Sequence, residues 1–151
     1  MTFTRRTQLR GFTLLEVLVA LLVLSLGLLG LAGLQTLSLK HNSQSYFRTQ
    51  ATIQAYDIVD RMRANRTLAG VVNANYANVG LGAQPNSPDC AQSACSSDDL
   101  AAYDIRVWNS GNARLLPNGA GQIVSNGALR TITLQWVENE LPMSLIVQVQ
   151  L

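Results

Sequence analysis

Residues 10–35 read RGFTLLEVLVALLVLSLGLLGLAGLQ, from Arg10 to Gln35. Between Phe12 and Leu34 lie 23 residues with a single charge, Glu16. A helix of that length rises about 34 Å at ~1.5 Å per residue, enough to cross a hydrocarbon core of ~30 Å. The run holds eleven Leu, three Val and one Phe. At roughly −0.5 kcal/mol each on an insertion scale these sum to about −7 kcal/mol, whereas one acidic residue costs at most ~3 kcal/mol. The apolar side wins, so insertion survives Glu16. Arg5, Arg6 and Arg10 precede the run, and only Lys40 and His41 follow it closely. That asymmetry predicts a cytoplasmic N-terminus, with the rest of the chain on the far side of the membrane.

A cleaved secretory signal is the rival reading, with Gly30-Leu31-Ala32 offering small residues to a signal peptidase. The run is about twice the length of an ordinary signal core, and a signal has no use for a carboxylate in its apolar stretch. Plain single-pass anchoring leaves Glu16 equally unexplained. Gly27, Gly30 and Gly33 recur at every third position. They fit either close packing between helices or a soft stretch able to unwind.

The pattern around Gly11, Phe12, Thr13, Leu14 and Glu16 resembles the N-terminus of type IV prepilins and of type II secretion pseudopilins. The shared elements are a short basic leader ending in Gly, then Phe, Thr, Leu, a Glu at the fifth mature position and an apolar helix. The resemblance implies that a prepilin peptidase cuts between Gly11 and Phe12 and that Phe12 is N-methylated. It also gives Glu16 an assembly role. Cleavage creates an ammonium at Phe12 in a medium of low dielectric, and Glu16 of a neighbouring subunit can neutralise it. At ~4 Å and an effective dielectric near 20 such a pair gains about 4 kcal/mol before desolvation is subtracted. Two unpaired buried charges would be far worse. A carboxylate snorkelling to the headgroups is the competing reading.

Beyond the membrane-length run, Phe47, Ala51, Ala55, Ile58, Val59 and Met62 keep a helical stripe, and Asp57 and Arg61 stand at i,i+4. No proline interrupts residues 12–66, so a single helix of about 55 residues is expected, roughly 80 Å long. Arg61, Arg63 and Arg66 read as a solvated helix end that complements the helix dipole. A turn-rich stretch follows, Thr67 to Ser97. It holds Cys90 and Cys95, the chain's two cysteines. Their spacing matches neither a zinc site nor a C-x-x-C redox motif, and outside the cytoplasm a disulfide is the simplest reading. So short a loop contributes only ~2 kcal/mol.

Residues 98–109 are ambiguous. Tyr103, Ile105 and Val107 alternate as in a strand. Leu100, Tyr103, Val107 and Trp108 fit a helical face, and Ser96 with Asp99 resembles a capping box, which favours a short helix. Leu116-Pro117-Asn118-Gly119 is a turn. Three strands are expected after it: Gln122 to Ser125, a hairpin at Asn126-Gly127, Leu129 to Glu138, and an alternating segment from Met143 to Leu151. The fold class is therefore α+β, and the resemblance to prepilins implies a pilin-like arrangement. A long N-terminal helix, half membrane-borne and half amphipathic, packs on a small antiparallel sheet with a short extra helix. The expected divisions are a leader at 1–11, an apolar assembly helix at 12–40 and a globular domain at 41–151.

The C-terminal segments SDDLAAYDIRVWNSGNARLLPNG and RTITLQWVE resemble the PilV class of minor pilins. That resemblance implies a minor pilin that primes assembly of a type IV pilus. Its partners would be other minor pilins and the major pilin, met through the N-terminal helix. A minor pseudopilin of type II secretion, or an anchored or secreted binding module, is the alternative. Many major pilins carry a proline inside the apolar helix, and this chain does not.

Charge and motifs exclude other classes. The net charge of +2 comes from the first ten residues. From Phe12 onward eight Lys/Arg stand against nine Asp/Glu, a net of −1. No basic patch for nucleic acid is apparent. The lone histidine, His41, has no nucleophile–base constellation around it in the sequence, and no cofactor or metal motif stands out. The expectation is a structural subunit rather than an enzyme. Asp98 and Asp99 read as helix-start residues, and weak calcium binding by them together with Asp89 stays open.

Overall fold

The computed structural model describes residues 13–66 and 72–151. Helix α1 runs Leu14–Ala64 and helix α2 Ser97–Leu115. Four strands follow the order β1 (Asn78–Val79), β2 (Ala120–Asn126), β3 (Leu129–Glu138) and β4 (Leu141–Gln150). All pair antiparallel, in the spatial order β1-β2-β3-β4. This is the α+β arrangement expected from the sequence, with one strand more than the predicted meander. The described chain divides into two compact units between Asn42 and Ser43.

In the first unit the apolar side chains of α1 stand exposed among the described residues. Leu14, Leu21, Leu29 and Leu34 are all more than half exposed, and nothing approaches Gly27, Gly30 or Gly33 within 4 Å. Among the described residues α1 holds the one helix long and apolar enough to cross a membrane.

In the second unit the same helix turns amphipathic. Ala51, Ala55, Ile58, Val59 and Met62 are sealed from solvent. They join the inward residues of the sheet and of α2 in one core. The register aligns Val79, Ile123, Ile132 and Val147 in a row across all four strands. Next to it Gly121, Leu134 and Leu145 form a second row. Gly121 is required here, because a Cβ at that position would collide with the indole of Trp108. Trp108 sits against the β2 backbone and donates from its indole N–H to the carbonyl of Gln54 on α1 at 2.8 Å.

Several sequence expectations need correction. Helix α2 does not stop at Asn109 but continues through Ser110-Gly111 to Leu115. Its buried face is Ala101, Asp104, Ile105, Trp108, Asn109 and Asn112, not the face carrying Leu100, Tyr103 and Val107. Half of those buried positions are polar, so an apolar-period reading recovers only Trp108 of the buried face. Asp104 and Asn109 are hydrogen-bonded there, and Asn112 donates to the Asn109 side-chain oxygen at 3.3 Å. Asn109 accepts from the Gly121 N–H at 2.8 Å and donates to the Ala83 carbonyl at 2.9 Å. The β2–β3 hairpin turns on Gly127-Ala128 rather than on Asn126-Gly127. Asn126 pairs with Leu129, and Gly127 takes φ +61, the position at which the II′ hairpin wants glycine. The β3–β4 turn is Asn139-Glu140, both at positive φ (49 and 66). Pro142 lies inside β4, where an edge strand tolerates it.

Candidate functional site

The start of α1 is built by local hydrogen bonds. The Thr13 side-chain oxygen accepts from the Glu16 N–H at 3.3 Å, and the Thr13 carbonyl accepts from Glu16 N at 3.1 Å and Val17 N at 3.3 Å. Thr13 is thus the N-cap, and Thr13-Leu14-Leu15-Glu16 has the capping-box spacing. The sequence reading placed Thr13 in the prepilin-like motif but gave it no capping role; the signal for that role was the T-x-x-E spacing immediately before the apolar run. Glu16 lies in the first helical turn, exposed. A carboxylate there is stabilised by the positive end of the helix dipole. Gly11 and Phe12, the predicted processing residues, lie outside the described residues.

The other end of α1 is tied down by a polar network. Arg61 Nε bonds Asp57 Oδ2 at 2.9 Å and its Nη1 bonds Asp104 Oδ1 at 3.0 Å. The Tyr76 hydroxyl donates to the second Asp104 oxygen at 2.5 Å. Asn65 donates to the Ser97 carbonyl at 2.8 Å and accepts from the Ser97 hydroxyl at 2.6 Å. Asn73 donates to Asp98 at 2.8 Å. These bonds join the end of α1, the 3₁₀ turn Ala74–Tyr76 and the start of α2. Burial, and then donation to Asp104, hold the Tyr76 phenol well above its usual range. Burial pulls the Arg61 guanidinium down, but its bonds to Asp57 and Asp104 outweigh that and raise it. Arg61 is therefore a structural clamp and not a solvated helix end; Arg63, paired with Asp60 at 3.1 Å, keeps the exposed role.

Residues 33–106 match the family model described as Type IV pilin Tt1218, and residues 7–32 match the prokaryotic N-terminal methylation motif. The chain is similar to type IV pilins. No curated protein and no solved structure gives a significant match. The two matches meet within the apolar segment of α1 and support a pilin-type subunit carried on a single membrane-length helix.

In this pilin-like chain Cys90 and Cys95 are joined in a disulfide that closes a small loop. Asp89 braces it, accepting from the Ala91 N–H at 3.1 Å and the Gln92 side chain at 3.0 Å. Asp98 and Asp99 occupy the first turn of α2, and Ser96 caps it by accepting from Asp99 N at 3.1 Å. Among the described residues no group of three or more His, Cys, Asp and Glu is placed to hold a metal ion.

Proposed function

We propose that this chain is a minor pilin of a type IV pilus, of the PilV class. It is cleaved between Gly11 and Phe12, N-methylated on Phe12, and primes filament assembly with other minor pilins from the inner membrane. One observation carries the reading: from Leu14 to Leu34 α1 exposes an almost wholly apolar surface whose one charge is Glu16, at the first turn. Lipid can cover that surface before assembly, and the helices of other subunits after it.

Phe12 immediately precedes the capping residue Thr13. A free ammonium created there stands at the positive end of the helix dipole, where it is destabilised. A carboxylate from a neighbouring helix offsets both that repulsion and the cost of low dielectric. The same Glu16 completes the capping-box spacing with Thr13, so a purely local role must be separated from an assembly role. Glutamine retains the capping geometry but not the charge. Glu16→Gln is therefore expected to enter pili as poorly as Glu16→Ala, measured by immunoblot of sheared filaments, with the membrane pool unchanged. Normal incorporation of the glutamine variant would reduce Glu16 to a helix cap. Mass measurement of the N-terminal peptide tests processing. The expected species begins at Phe12 with one added methyl, whereas a start near Gly33 or an intact Met1 would exclude prepilin maturation.

A further inference from the structure

The outward face of α2 carries what its buried face does not use. Tyr103, Arg106, Ser110 and Arg114 recur at helical spacing and form one wall of a groove of about 570 Å³. Gln84 and Ser87 stand on the opposite wall, and a bond of 3.2 Å from the Ser110 hydroxyl to Gln84 Oε1 links the two. Such a volume suits a small ligand of one or two rings.

Arg61 and Arg63 are committed to carboxylates, but among the described residues neither Arg106 nor Arg114 forms an ion pair. The Arg106 guanidinium rests over the Tyr103 ring, 5.5 Å from its centroid. Its Nε is sealed from solvent without a hydrogen-bond partner, and so is the hydroxyl of Ser87 across the groove. An unpaired buried polar group is costly, on the order of 1–3 kcal/mol. Turning Arg106 toward an anion in the groove exchanges that unpaired donor for a charge-assisted bond.

We propose that this groove binds an acidic saccharide. A sugar carboxylate pairs with Arg106 and Arg114. Ring hydroxyls meet Gln84, Ser87 and Ser110, and an apolar ring face lies against Tyr103. Asp89 also lines the groove. Its carboxylate accepts from sugar hydroxyls but repels a polyanion. The chain from Phe12 onward has a net charge of −1 and supplies no long-range attraction for nucleic acid.

The test is calorimetric titration of the full-length protein in detergent with digalacturonate, glucuronate and N-acetylneuraminate. Neutral galactobiose and a short oligothymidylate serve as comparisons. At least one acidic sugar is expected to bind saturably, with galactobiose at least tenfold weaker. Arg106→Gln and Arg114→Gln should each lose tenfold or more with the melting profile preserved. If Arg106→Gln perturbs folding, the more exposed Arg114→Gln decides. Absence of binding by all three acidic sugars, unchanged affinity in Arg114→Gln, or tighter binding of oligothymidylate would overturn the proposal.

Discussion

The two halves of α1 are apolar for opposite reasons. Before Asn42 the leucines point in every direction and are exposed among the described residues. After Ser43 the apolar residues are fewer, and the stripe Ala51, Ala55, Ile58, Val59 and Met62 is sealed while Tyr46, Ile53 and Tyr56 stay exposed. A side chain's hydrophobicity therefore says little about its contribution to this chain's own folding. In the first half it leaves an exposed apolar surface of membrane-spanning length; in the second it serves the core. Composition separates the two, because an all-round apolar helix needs an apolar surrounding whereas a striped one needs a single partner surface.

That contrast can be broken most directly by a matched pair of truncations. Ile58→Ala removes a fully buried side chain and should cost about 3 kcal/mol, read as a lower urea midpoint of the full chain in detergent. Leu24→Ala, in the exposed half, should leave that midpoint unchanged within ~0.5 kcal/mol. Equal losses would mean that the exposed half contributes to domain stability after all. Next in size is the clamp at the end of the buried half. Arg61→Met strips Asp104 of its cationic partner and should cost about 2 kcal/mol, less than for a fully buried pair because the Arg61 side chain retains 30% exposure.

The same clamp predicts a pH effect. Unfolded tyrosine ionises near pH 10, whereas the folded Tyr76 holds its proton to higher pH. Above pH 10 the unfolded state therefore binds fewer protons, and stability falls as pH rises, by up to ~1.4 kcal/mol per pH unit. Below pH 10 the contribution is complete. Comparison of urea midpoints at pH 8 and 11 should show a steeper fall in the wild type than in Tyr76→Phe; identical slopes would remove Tyr76 as the cause. The smallest effect lies far from α1, at the β3–β4 turn. Glu140→Gly relieves a positive φ in a non-glycine residue and should raise stability by about 0.5–1 kcal/mol, visible as a higher melting temperature.

What the sequence disclosed follows the same division. The apolar run, the stripe from Phe47 to Met62 and the alternations in β3 and β4 are periodic signals, and the structure follows them. Strand β1 carries no such signal. Its two residues, Asn78 and Val79, become a strand only by pairing with Val124 and Ile123. The far end of α2 was hidden because Ser110 and Gly111 resemble a stop. Tertiary bonds from Asn109, and the packing of Leu116 beneath the turn, favour continuation. Arg61 was misread because its second carboxylate, Asp104, is 43 residues away. At the candidate site Glu16 stood out as a lone charge, whereas Thr13 was read as a motif residue and not as the cap that its spacing to Glu16 makes it.

The burial of Trp108 has an optical consequence. The chain has two tryptophans, Trp108 and Trp136, and both are sealed in the core of the second unit. Their emission is therefore that of indoles shielded from water, and it shifts to the red when that core opens. No tryptophan lies in the apolar half of α1. The protein thus carries its own fluorophores for unfolding of the globular unit, and these are dark to events along the exposed helix. A single tryptophan placed at Leu28 would supply the missing channel, and the two signals together would tell insertion from folding in one cuvette.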